Sequence, residues 1–142
     1  MLFKKHKINE EKVELVKVSA LLIHAAKIDE DYSKEEESII RQALLKIGAN
    51  KADIEDIITK AKKIEENSNQ ILDFTKEVKN MNENDKIKII KTLWKIIFSN
   101  KEADIYETNL MRRLAGLLYI DSKIMGDIKE QIKKEISNDL HS

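Results

Sequence analysis

Proline is absent from this sequence, and glycine occurs three times in 142 residues. These are the two residue types that punctuate turns and end helices early. A strand-and-turn architecture is therefore excluded, and long helices are expected. Apolar residues recur at three- and four-residue intervals, which marks seven helical segments. The first is predicted from Asn9, its cap, to Ile28, with Val16, Ser19, Leu22, Ile23 and Ala26 on one side. Between Val18 and Ala26 it is apolar nearly all round, which predicts a central, buried element. The second runs from Ser33 to Ile47 and is closed by Gly48. The third starts at an Asn50 cap and presents Ile54, Ile57, Ile58, Ala61 and Ile64. A shorter fourth segment, from Ser68 to Lys79, carries Ile71, Leu72, Phe74, Thr75 and Val78. After a polar turn at 80–84, the fifth runs to Ser99 with Ile87, Ile89, Ile90, Leu93, Trp94, Ile97 and Phe98 inward. The sixth spans Asp104 to Leu118; the seventh starts at Asp121 and presents Ile124, Met125, Ile128, Ile132 and Ile136.

A constant offset of 71 residues lays the last three helices on the first three. Lys17 then meets Lys88, Leu22 meets Leu93, Ile23 meets Trp94, Glu36 meets Glu107, and Asn50 meets Asp121. Any two amphipathic helices share a period, which accounts for apolar matches alone. Matched caps across two turns, with no gap, favour an internal duplication. The expectation is an all-α fold: two three-helix repeats joined by a connector helix. In residue numbers, a tail over 1–8 precedes one domain over 9–138, made of repeat 9–66, connector 67–80 and repeat 81–138.

Composition excludes several function classes. Lys plus Arg and Asp plus Glu each total 26, so there is no global field for nucleic acid or anionic lipid. Cysteine is absent, which removes disulfides and thiolate metal sites and fits a cytoplasmic location. No apolar run reaches the length of a membrane span. The basic start, from Met1 to Lys7, is followed by no signal-peptide apolar stretch.

The turn between the first two helices concentrates polar chemistry. Six carboxylates lie between Asp29 and Glu37, an oxygen-rich set suited to hard cations, calcium or magnesium before zinc. Capping competes as an explanation: Ser33 with Glu36, and Asp104 with Glu107, both have the capping-box form. Acids in a first helical turn are also favoured by the dipole, by about 0.3–1 kcal/mol each. Asp29 is different, because it sits at the C-terminal end of a helix, where negative charge opposes the dipole. A cation, a nearby lysine or a local turn bond must offset it. The EF-hand spacing fails: counting from Asp29, Lys34 stands where glycine is required and Ile40 where Glu is required.

At this turn the chain resembles the TerB-like (tellurite resistance protein B) family. Its members are short all-helical proteins with two related turns, each with an Asp-Gly pair and a Glu seven residues after the Asp. Asp29 and Glu36 match the first turn; Glu107 matches the second, within the segment from Tyr106 to Ile120. Leu93-Trp94 and Phe74-Thr75 fit as well, and the resemblance spans about Leu15 to Lys129. It departs where Glu30 replaces the first glycine, and where Asn100 and Lys101 replace the second Asp-Gly. The resemblance implies a divalent-cation site at Asp29 and Glu36, assisted by Asp31, and a weaker one at Asn100 and Glu107. It also implies a bacterial stress or tellurite-resistance role beside membrane-associated protein complexes.

The remaining polar residues suggest no catalytic set. There is no cysteine nucleophile, glycine-rich phosphate loop or HExxH spacing, so an enzyme is not expected. His24 shares the polar side of the first helix with Lys17 and Lys27, and reads as a partly exposed histidine. Trp94 falls in a core phase, and Tyr106 and Tyr119 read as amphipathic packing. Arg112-Arg113 could bind an anion or a partner's carboxylates, or pair locally with Glu107 or Asn109. That pair motivates the alternative function, a helical adaptor for another protein with no functional metal.

Overall fold

The scarcity of turn-forming residues is answered by helix almost throughout. The computed structural model describes the backbone of residues 2–27, 32–67, 71–99 and 105–141, and the side chains of 14–27, 32–67, 71–99 and 109–138. Among them the chain forms seven α-helices and no strand: α1 (Leu2–Ala26), α2 (Lys34–Ile47), α3 (Ile54–Asn67), α4 (Leu72–Lys79), α5 (Glu83–Ser99), α6 (Ile105–Leu117) and α7 (Ser122–His141). A single 3-10 turn, Lys51–Asp53, leads into α3. α1 begins well upstream of the Asn9 expected to cap it. No proline or glycine interrupts the segment from Leu2 to Asn9, so the hydrogen-bond ladder continues and Asn9 is an interior residue.

α1 is the central element its all-round apolarity predicts. Val18, Ala20, Leu21, Leu22 and Ile23 are 0% exposed, and α2, α3, α4 and α5 all pack against it. Ile89, Ile90 and Leu93 of α5 are buried beside it, and α5 in turn carries α2 and α7. α6 is held between α4 and α7. Each fully buried aliphatic side chain contributes about 1.5–3 kcal/mol, so the α1–α5 layer dominates stability.

Local chemistry sets the helix ends. The Ser33 Oγ accepts from the Glu36 amide at 3.1 Å, while the Ser33 amide donates to Glu36 Oε1 at 3.0 Å, a complete capping box. At α5, Asn82 Oδ1 accepts from the Asp85 amide at 2.8 Å, a cap hidden within the polar turn at 80–84. At α7, Asp121 Oδ1 accepts from the Lys123 amide at 2.9 Å. The cap expected of the Asn50 side chain is not made. Its backbone carbonyl accepts from Asp53 at 2.9 Å instead, closing the 3-10 turn.

The offset of 71 therefore fails at the Asn50 and Asp121 caps, yet holds where α2 and α6 end. Gly48 has φ 113° and Tyr119 has φ 55°, both left-handed. The Ala49 amide donates to the Leu44 carbonyl at 2.9 Å, and the Ile120 amide to the Ala115 carbonyl at 2.9 Å. Each is the long bond of a Schellman turn.

Four apolar residues expected to pack face outward, Leu72 among them at 46% exposed. Ile64 is 38% exposed, because Glu65 occupies the inward slot beside it. Ile124 is 39% exposed in the first turn of α7, whereas Met125, Ile128 and Ile132 further along are buried. Tyr119 is 74% exposed, placed outside by the left-handed turn, with Lys79 Nζ 4.4 Å from its ring centroid.

Candidate functional site

The acidic turn opens α2, and its described part is built by capping. Glu36 is only 4% exposed and its carboxylate is held by the Ser33 amide, so its position is fixed by the first turn of the helix. Asp29 and Asp31 lie outside the described residues, as does Asn100 of the second turn. Glu107 lies in α6, where its side chain is outside the described set. Among the described residues, no group of three or more His, Asp or Glu side chains converges to hold a metal.

The neighbouring carboxylates are sorted by charge. Glu37 Oε1 lies 2.8 Å from Lys62 Nζ and 4.0 Å from Arg41. Arg41 in turn forks onto Glu55, one arm at 3.1 Å. Lys62 also sits over the Tyr32 ring, 5.6 Å from its centroid. Burial pushes the Tyr32 phenol above its ordinary range, and the adjacent Glu37 carboxylate adds to the rise. Glu37 is thus neutralised by cations of α2 and α3.

The polar side of α1 is paired rather than open. Glu65 of α3 is 9% exposed and receives Lys27 Nζ at 2.7 Å and His24 Nδ1 at 3.3 Å. Lys17 Nζ donates to Glu77 of α4 at 3.0 Å. His24 is the partly exposed histidine the sequence suggests, with a structural partner that sequence reasoning missed. The available signal was period: Glu65 follows Ile57, Ile58 and Ala61 on the inward face of α3.

Arg112 and Arg113 are exposed on α6. Among the described residues neither guanidinium has a carboxylate partner; the side chain of Glu107, one of the expected local partners, lies outside them.

The fold and this site define a helical protein organised around one buried helix, with an acidic, capped turn at its end. The chain belongs to the family described as Tellurite resistance protein TerB, whose family model matches residues 15–130. That family is not a known enzyme family. No curated protein and no solved structure gives a significant match. Among the described residues, no helix is long and apolar enough to cross a membrane.

Proposed function

We propose that this protein is a non-enzymatic, cytoplasmic TerB-type stress protein that binds a divalent cation at the α1–α2 turn, through Asp29, Asp31 and Glu36. The observation that carries the reading is Glu36: a buried carboxylate held at a fixed place by Ser33, a few residues after two aspartates. Family membership supports it. Oxygen-only donors without cysteine suit calcium or magnesium better than zinc. Such an ion would offset Asp29 at the adverse pole of α1 and join the end of that helix to the start of α2. The second turn, with Asn100 and Glu107, is the weaker site because Lys101 adds a positive charge there.

Thermal melts of the chain with calcium, magnesium, manganese or zinc test the proposal. At about a hundredfold excess over its dissociation constant, a bound ion adds about 2.7 kcal/mol. The melting temperature then rises with calcium or magnesium, and Asp29→Ala abolishes the rise. Melts insensitive to every ion, or an undiminished rise in Asp29→Ala, would sink it.

Arg112 and Arg113, exposed and without a carboxylate partner among the described residues, favour a second reading: an adaptor docking to an acidic surface of a protein in a membrane-associated complex. Charge reversal at both arginines should abolish co-purification of one reproducible partner while the melt is unchanged.

A further inference from the structure

Two of the three glycines have no conformational reason to be glycine. Gly48 has the positive φ its turn requires, whereas Gly116 and Gly126 do not. Both lie inside helices, where glycine is less favourable than alanine. A Cβ at either would meet no atom within 4 Å, so no close helix contact demands them. What they share is a place: both line one cleft of about 430 Å³ formed by α5, α6 and α7.

The rest of that cleft has a consistent chemistry. Trp94 is 4% exposed and forms part of the wall, yet its buried Nε1–H has no acceptor among the described residues. Buried indole N–H groups normally find one. Met111 and Met125 supply an apolar, adaptable lining. Arg112 also lines the cleft, with no carboxylate partner among the described residues, and Lys129 Nζ lies 5.4 Å from the Trp94 ring centroid. Ser122, in the first turn of α7, completes one side, and that turn carries no acidic residue. The nearby Asp121 carboxylate is engaged by the Lys123 amide, and among the described residues no carboxylate lines the cleft.

We propose that this cleft binds a small organic monocarboxylate with an apolar tail. The tail lies against Trp94, Met111 and Met125, and the carboxylate is received by the exposed Arg112 guanidinium at the edge of the cleft. The size is that of a small-molecule site, and the two glycines keep it open. The proposal is independent of cation binding at the α1–α2 turn.

Trp94 is the only tryptophan, so its emission and its indole N–H resonance read the site directly. Octanoate titrated into the full chain is expected to change both saturably. Arg112→Gln should weaken binding about tenfold, the loss of one charge-assisted contact, and octan-1-ol should bind the native chain about tenfold more weakly than octanoate for the same reason. Gly126→Leu fills the cleft from a position with free space and better helix propensity, so it should fold and abolish binding. Gly116→Leu does the same from α6, and either variant decides the matter if the other fails to fold. Three results would overturn the proposal: no response to millimolar octanoate, undiminished binding in a folded glycine variant, or equal affinity for the alcohol. A concentration-dependent dimer broken by Gly126→Leu but not by octanoate would overturn it too, assigning the cleft to a second copy of the chain.

Discussion

Tyr119 and Gly48 close equivalent turns with unequal ease. A left-handed conformation costs a side-chain-bearing residue about 1–2 kcal/mol, and glycine nearly none. The only described contact of Tyr119 that offsets this is the exposed one with Lys79, worth about 0.5–1 kcal/mol. Tyr119→Gly is therefore expected to raise stability by about 0.5 kcal/mol, while Gly48→Ala lowers it by about 1 kcal/mol. Urea unfolding of the two variants tests both signs. Glu65 is the other residue whose environment decides its role. Its two partners, Lys27 and His24, are each about a third exposed, so solvent weakens the pairs. Glu65→Gln should cost about 1 kcal/mol, with the deficit shrinking at high salt; a loss independent of salt would mean that Glu65 acts by packing alone. Of the proposed ligands, the sequence made Glu36 legible as a cap, and its hydrogen bonds with Ser33 are those of a capping box. It could not reveal that Glu37 is claimed by Lys62, because that pair joins residues far apart in the chain.

At the scale of elements, ends were legible wherever the deciding contacts are local. Ser33, Gly48 and Asp121 act within a few residues, so their roles follow from spacing alone. Asn82 acts just as locally, but three other polar residues surround it in its turn and spacing could not single it out. Ser33→Ala should remove about 1 kcal/mol and loosen the first turn of α2. Amide exchange is the suitable probe: the amides of Glu36 and Glu37 should exchange faster while those of α5 scarcely change. Equal acceleration in both helices would show that Ser33 supports the whole fold rather than one terminus. This test also bears on the cation site, since Glu36 is positioned by the same box. Asn50 is the instructive failure. Nothing in its sequence separates it from Asp121, yet one precedes a 3-10 turn closed by backbone and the other caps by side chain.

For the whole molecule, the decisive fact is that α1 belongs to both halves. It packs most extensively against α3, and also against α2, the connector α4, and α5 of the second set. The two sets of three helices therefore share one buried layer instead of forming separate units. Leu22→Ala in that layer should cost about 2–5 kcal/mol, and melting followed by helical signal and by Trp94 emission should coincide. Two separated transitions would mean that the halves are stable independently. The division between sequence and structure follows from range. Helix content, the central role of α1, most caps and the family resemblance rest on period and on contacts within a turn or two, so the chain alone determined them. Which inward slot holds Glu65 rather than Ile64, which carboxylate is neutralised, and the cleft beside Trp94 depend on how helices distant in sequence are set against one another. Only the tertiary structure decided those, because burial and charge pairing depend on neighbours that no local pattern names.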